Sequence, residues 1–513
     1  MPRKPHLFLI IIFVIFVSYF NSLENGFVFD DQMLILENTT IRSLKNIPII
    51  LGFSDKLVFR PIREITYAID YFFYRYKPIG YHLSNLFFLF LTCCVVYFIS
   101  FHFFQNQLLA LFTSVIFAVH PIHTEAVTYI SGRKDTLAGL FYFLGFYFFV
   151  KYRKTNKKKY FIATVFNYVL AIFSKEIGIT LPIILFFYDF YNLSDSQKFQ
   201  EPKNIWNCFW IIFKKYYGFY LSMLIFIALF CVYMLFVRST SSINYMKSID
   251  IYGEGNPLNI YTQIKIIGIY LKLLVFPISL NADYTFNAIP QSYSIFEPQV
   301  LHNLIIILFY IIVSVIFIKS EWKIVSFLLL SLLASMLPIM QIVKYPEIIS
   351  ERALFIPSLF FCLLLTFLVR NIAFVSIKRF LIVFVVITII FSIRTISRNF
   401  DWKDSKRLWE ITVKTSPRSA RAHYNLGTIY AKNGRHKDAI AEFKKSLIIN
   451  PEKLITIPDY TVSSLLNLGN VYYLKGKKKE AIKSYKRVLK IDPSHKSARG
   501  NINLVESKIN AIK

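Results

Sequence analysis

Immediately after a first apolar run, 7–23, the chain reads Gly26-Phe27-Val28-Phe29-Asp30-Asp31. Adjacent carboxylates repel, so one of them either binds a cation or holds its proton more tightly than an isolated acid. Asp30 and Asp31 are therefore candidates for a general base, and the pair could hold a divalent cation. The same two residues also suit the N-terminus of an amphipathic helix, where acidic side chains are favoured. The residues alone leave both readings open.

A second cluster, His120-Pro121-Ile122-His123-Thr124-Glu125, sets two imidazoles and a carboxylate close together, a combination that could ligate a metal. The order is not His-Glu-x-x-His, and Pro121 breaks the helix that would align the rings. A structural or phosphate-contacting role suits His120, His123 and Glu125 better than zinc. Arg133, Lys134, Lys175 and Arg352 are cations suited to a phosphate, although each taken alone reads as a side chain snorkelling to a membrane surface. Asp135, Glu176, Asp283 and Glu351 are the acids beside or among them. The sequence holds no phosphate-cradling glycine loop, no Gly-x-Ser-x-Gly and no cysteine pair with metal spacing, so soluble nucleotide chemistry has no support and no cofactor is certain.

The scaffold for these residues must be a membrane domain. A chain of 513 residues that is 55% hydrophobic, 18% aromatic and only 17% charged would expose too much apolar surface to water. Cys93, Cys94, Cys231 and Cys362 lie inside apolar runs and read as small hydrophobes. Spans need roughly 17 to 25 apolar residues, and candidates fall at 7–23, 83–104, 107–121, 136–150, 217–237, 301–318, 324–343, 353–370 and 380–397. Between 160 and 190, Ser174-Lys175-Glu176 breaks the pattern into two short spans, giving about eleven. Glu24-Asn25-Gly26 after the first run offers no small-x-small cleavage site, so that run reads as an uncleaved span. The stretch 263–280, with Lys265 and Lys272, reads as an interfacial helix.

Lys and Arg favour the cytoplasmic side of short loops. The loop 151–159 carries Lys151, Arg153, Lys154, Lys157, Lys158 and Lys159 with no acid, whereas 24–82 holds seven basic and seven acidic residues. The N-terminus is then cytoplasmic. Asp30-Asp31, 120–135, Lys175-Glu176, Asp283-Tyr284 and Glu351-Arg352 all fall on the opposite face. Ionisable groups are costly at a bilayer, so their convergence on one face marks a functional site.

Polarity rises abruptly at 398, dividing a membrane domain, 1–397, from a helical domain, 398–513. Leu426-Gly427, Tyr430, Ala439, Phe443 and Pro451 match Leu468-Gly469, Tyr472, Ala481, Tyr485 and Pro493 in type and spacing, as tetratricopeptide repeats at 420–453 and 462–495. The step from 420 to 462 exceeds the usual 34 residues, so about eight, 454–461 with Pro458, interrupt the stack. Helices at 405–415 and 496–509 should cap the pair. Such repeats bind a peptide or protein and have no chemistry of their own. Their basic charge favours anionic lipid headgroups, and nucleic acid is not expected as a partner.

Phe29-Asp30-Asp31, Arg60-Pro61, Tyr81-His82-Leu83-Ser84-Asn85, His120 to Val127 and Gly132-Arg133-Lys134-Asp135 together resemble the transmembrane and tetratricopeptide repeat-containing O-mannosyltransferases. So do Ser174 to Gly178, Leu280-Asn281-Ala282-Asp283-Tyr284 and Glu351-Arg352 with Pro357. The resemblance runs nearly the whole length. It implies an all-α, GT-C-like helix bundle taking a sugar, mannose in the relatives, from a polyprenyl or dolichyl phosphate to a Ser or Thr hydroxyl of a protein. Inversion is expected. It also implies Asp30 as the base, Asp31 as the second acid, and Lys175, Arg133 and Arg352 as cations for the leaving phosphate. The active site and repeats would face the periplasm, or the lumen of the endoplasmic reticulum in a eukaryote. Composition and compact length suit a microbial member. Two other readings are a same-fold transferase acting on a lipid or surface glycan, and a non-catalytic membrane-anchored repeat scaffold. Eleven spans with charges clustered at one face argue against a simple anchor.

Overall fold

A segment in lipid must satisfy its backbone hydrogen bonds internally, and each apolar run expected to span is a helix in the computed structural model. The structure describes residues 5–52, 59–193, 205–249, 260–284, 288–340, 348–372, 376–449 and 459–510. Among these no strand occurs. The membrane domain begins with α1 (Pro5–Tyr19), the short α2 (Ile47–Leu51), α3 (Pro61–Tyr74), α4 (Pro78–Phe104), α5 (Gln107–Val119) and α6 (Thr124–Val127). It continues with α7 (Arg133–Thr155), α8 (Lys158–Ser174), α9 (Leu181–Leu193), α10 (Ile205–Ile249) and α11 (Ile260–Val275). It closes with α12 (Pro298–Ile316), α13 (Lys323–Met336), α14 (Pro357–Ile372) and α15 (Ile377–Asp401).

Among the described residues, six helices are long and apolar enough to cross a membrane, or seven if α5 and the segment 121–127, bent by 48°, form one span. This is fewer than the eleven expected from apolar runs, although each of the eleven runs is largely helical among the described residues. The difference has a physical source. Helices α7 and α8 carry charges at their ends, and α13 and α14 belong to shorter apolar stretches. The stretch 160–190 is two helices, α8 and α9, broken at Lys175-Glu176. The segment expected to lie at the interface is α11, packed on α12 and on 351–354. The last membrane helix runs to Asp401, past the boundary expected at 398, and buries Arg398.

The polar domain is also helical. The repeats are α17 (Ala420–Lys432) with α18 (His436–Ile449), and α19 (Asp459–Leu474) with α20 (Lys478–Ile491); α16 (Ser405–Thr415) and α21 (Lys496–Asn510) pack against their ends. Gly427 and Gly469 lie so close to the rings of Phe443 and Tyr485 that a Cβ would clash with them. That is the small-against-large interlock the repeated letters require. Most of the interruption expected at 454–461 lies outside the described residues, and 459–461 already belong to α19.

The two domains share a core. Val28, Tyr129, Ala282 and Trp402 pack with Leu408, Trp409, Ala422 and Leu426. The first helices of the repeat domain therefore sit directly on the loop that follows α1.

Candidate functional site

The loop after α1 is fixed at both flanks. The Asn25 side chain donates to the Asn399 carbonyl at 2.9 Å, and the Gly26 N–H donates to the Lys403 carbonyl at 2.9 Å. Phe29 then takes a left-handed backbone with φ of 55°, a conformation that costs a bulky residue about 1–3 kcal/mol unless its surroundings impose it. Its surroundings do. The ring packs edge-on to Trp409 at 5.4 Å and near Tyr129 at 5.9 Å, with the Arg421 guanidinium over it at 5.1 Å.

That turn sends the two acids in different directions. Asp31 is fully buried. One carboxylate oxygen accepts from the Val28 N–H at 3.0 Å, and the other accepts from the Ser131 N–H at 2.9 Å and hydroxyl at 2.5 Å. Burial pushes its carboxyl up to about 7 against the pull of these donors, with Asp30 adding a little. Asp31 precedes the helical turn Gln32–Leu36 but makes no side-chain capping bond to it; its oxygens are spent on holding the loop against Ser131. Asp30 is partly exposed. Its N–H donates to the Tyr129 hydroxyl at 3.2 Å, and its carboxylate has no hydrogen-bond or ion-pair partner among the described residues.

The segment 120–135 folds into tight short turns because Gly132 lets its backbone press on Glu125 and Ala126, where a Cβ would collide with the Glu125 carbonyl. The charged residues around it pair off. Arg352 binds Glu125 through its backbone N–H at 2.9 Å and also through its guanidinium, and its Nε lies 3.6 Å from Asp135. Lys175 pairs with Asp135. Arg60 grips both oxygens of Glu176, at 2.9 and 3.0 Å. Thus Glu125, Asp135, Lys175 and Arg352 are joined in one network, Glu176 is tied to Arg60, and Asp30 lies near Lys134 between them.

Other expected site residues are structural. Arg133 is fully buried and its donors are spent on Asp70 at 2.5 Å, Asn85 at 2.6 Å, the Tyr81 carbonyl at 2.9 Å and Thr66 at 3.3 Å. It braces α7 against α3 and α4, and every one of its three nitrogens is engaged by these structural partners. Both histidines are fully buried. The Nε2 of His120 contacts the Leu274 carbonyl at 3.0 Å while its Nδ1 accepts from the Ile122 N–H, and the Nε2 of His123 contacts Ser358 at 2.7 Å. Among the described residues, no group of three His, Cys, Asp or Glu side chains could hold a metal ion.

Glu351 is buried under the site. It accepts from the Asn281 N–H, the Tyr284 hydroxyl at 2.7 Å and Arg398 at 3.3 Å. Burial pushes its carboxyl up to about 7, opposed by Arg398 and reinforced by Glu125. Asp283, expected to face substrate, holds the repeat domain instead: it accepts from Ser419 at 2.7 Å and from Arg421 at 3.1 and 2.9 Å. Asn281 beside it bonds Ser416 and Thr415.

The sequence pattern did not single out Ser131, Tyr129, Trp409 or Arg421 as partners of the loop. Arg60 stood in view beside Pro61 but was not weighed as a site residue, and Lys134 was one cation among several.

Residues 418–494 match the tetratricopeptide repeat family. Over most of its length the chain is also similar to membrane transferases. The protein O-mannosyl-transferase F38B6.6 of Caenorhabditis elegans is 26% identical over 475 residues, covering 86% of this chain and 62% of that protein. The chain is a relative of the protein O-mannosyl-transferases. Human protein O-mannosyl-transferase TMTC3 is 25% identical over 87% of this chain and 51% of its own length; human TMTC1 is 24% identical over 85% and 54%. The chain thus spans between half and two-thirds of the length of the curated relatives it matches.

Proposed function

We propose that this chain is a membrane glycosyltransferase that moves a sugar, mannose by analogy with its relatives, from a polyprenyl or dolichyl phosphate to Ser or Thr hydroxyls of proteins at the extracytoplasmic face. One observation carries the reading. Asp30 is a carboxylate without a partner among the described residues, held on a strained turn near Lys134, which has Arg352 and Arg60 beside it.

A hydroxyl is a poor nucleophile at neutral pH, and a positioned carboxylate supplies what it lacks. In the proposed step the acceptor oxygen forms a bond to C1 of the sugar as its proton passes to Asp30. The bond from C1 to the phosphate oxygen breaks, and the lipid phosphate leaves with the electron pair. Attack from the side opposite the leaving phosphate inverts C1. Cations near the phosphate oppose the charge that develops on it. Asp31 positions the base by clamping the loop to Ser131, and Asp283 with Asn281 holds the repeat domain over it, where an acceptor segment would arrive. The charge bias of the loops supports a cytoplasmic N-terminus with this face and the repeats outside.

The test is transfer by the purified full chain in nanodiscs, offered labelled polyprenyl-phosphate mannose and a Ser/Thr-rich peptide. Asp30→Asn should lower the rate about 100-fold or more, the range for loss of a general base, with the protein still folded. Equal rates for the two proteins would remove Asp30 as the base.

A further inference from the structure

The charged groups of the site are nearly, but not fully, balanced pair by pair. Arg352 meets Glu125, Lys175 meets Asp135 and Arg60 meets Glu176. Lys134 is left over. It is only 4% exposed, and no described residue forms an ion pair or hydrogen bond with it. Its charged neighbours are Arg352 and Arg60, which repel it, and Asp135 and Asp30, which attract it from beyond ion-pair distance. Asp135 already serves Lys175. Burial, reinforced by Arg352 and Arg60, disfavours the charged form of this side chain, and an anion arriving from outside the chain would supply the counter-charge that the described residues do not. Lys134 also sits in the first turn of α7, where the helix dipole favours negative charge.

We propose that Lys134 binds the phosphate of the lipid-linked sugar donor. This rests on the transferase reading above and sharpens it: among the described residues, a cation and a carboxylate that have no partner share one neighbourhood, and the reaction needs one of each. Before transfer the donor is a phosphodiester with a single negative charge. When the bond from C1 to the phosphate oxygen breaks, that oxygen keeps the electron pair and the lipid phosphate gains a second charge. The ammonium of Lys134 meets that added charge, while the proton of the acceptor hydroxyl resides on Asp30. Arg352, Lys175 and Arg60, each engaged with a carboxylate, line the site without being its primary anion ligand.

The experiment measures binding of undecaprenyl phosphate to the full chain in nanodiscs, by the rise in melting temperature and by titration, for wild type, K134M, K134Q, K134R and D30N. Losing one charge-assisted bond should weaken binding about tenfold or more in K134M and K134Q, whereas K134R keeps most of it. D30N should bind as wild type does while failing to transfer sugar. Without ligand, K134M and K134Q should melt at or above the wild-type temperature, because a buried amine with no partner among the described residues has been removed. Wild-type affinity in both neutral variants, or loss of fold in both, would overturn the proposal, the second because it makes Lys134 a structural residue. Inorganic phosphate and phosphatidylglycerol form two further arms; an equal rise in melting temperature with either would show a general phosphate site and overturn the assignment to the donor. If wild type transfers no sugar from any donor, the transferase reading itself fails, which the binding arms alone would not show.

Discussion

Arg421, on the first repeat helix, donates two hydrogen bonds to the carboxylate of Asp283 in the membrane domain, Nε at 3.1 Å and Nη2 at 2.9 Å. Asp283 is buried at its side chain and Arg421 is 23% exposed, so the pair sits at the edge of the domain contact. Asp283→Ala leaves a partly solvated guanidinium behind and should cost about 1–3 kcal/mol of docking. Hydrogen exchange across α16 and α17 should quicken about tenfold or more, with the membrane helices unchanged. Unaltered protection there would mean that the shared apolar core alone holds the repeats in place.

Trp409 reaches from α16 to the Phe29 ring, whose left-handed backbone sets the direction of Asp30. An aromatic pair of this kind contributes about 0.5–1.5 kcal/mol beyond its buried area, comparable to the strain it opposes. Trp409→Ala should therefore let the loop relax and lower sugar transfer about tenfold or more through kcat, while undecaprenyl phosphate binding stays near wild type. A variant that transfers normally would show that Tyr129 and Arg421 suffice to hold the turn.

The helices and repeats were legible because each is written locally: apolar runs of span length, and Leu-Gly, Tyr, Ala and Phe or Tyr at matched offsets. The short segments that bring Glu125, Lys175 and Arg352 into one network were legible too, because each interrupts an apolar run with charge. What the letters concealed was which way each side chain turns. Asp30 and Asp31 are adjacent, yet one is open and the other clamped, because Phe29 adopts a positive φ with its ring packed among Trp409, Tyr129 and Arg421, residues distant in sequence. Arg133 and Lys134 are adjacent on a helix, about 100° apart, so one meets Asp70 and Asn85 while the other has Arg352, Arg60, Asp135 and Asp30 as its charged neighbours. Asp283 looked like a substrate ligand because its partner Arg421 lies 138 residues away.

That contrast between Arg133 and Lys134 is testable. Arg133→Met strands Asp70 in a buried position without its cation and should cost about 3–5 kcal/mol. Arg133→Lys should recover only part of this, since an ammonium cannot serve Asp70, Asn85 and the Tyr81 carbonyl with one planar fork. The melting temperature of the solubilised chain reads both. An Arg133→Met protein of wild-type stability that no longer binds undecaprenyl phosphate would reverse the roles assigned to the two residues.

Asp31 supplies a pH dependence with a definite sign. In an unfolded chain its carboxyl titrates at about 3.9; in the folded protein burial pushes it up to about 7. Between these values the folded state keeps a proton that the unfolded state releases. Its stabilising contribution is thus fully present below about pH 4 and is lost as pH rises through about 7, at up to roughly 1.4 kcal/mol per pH unit. Asp31→Asn cannot titrate. Glu351, also pushed up to about 7, is present in both proteins and cancels in the comparison. The gap in melting temperature between wild type and Asp31→Asn, followed from pH 4.5 to 8, should move against wild type as pH rises and level off above about 7. A gap that stays flat, or moves the other way, would mean that the Val28 and Ser131 donors hold Asp31 as a carboxylate, and that the clamp on the Asp30 loop is ionic at neutral pH.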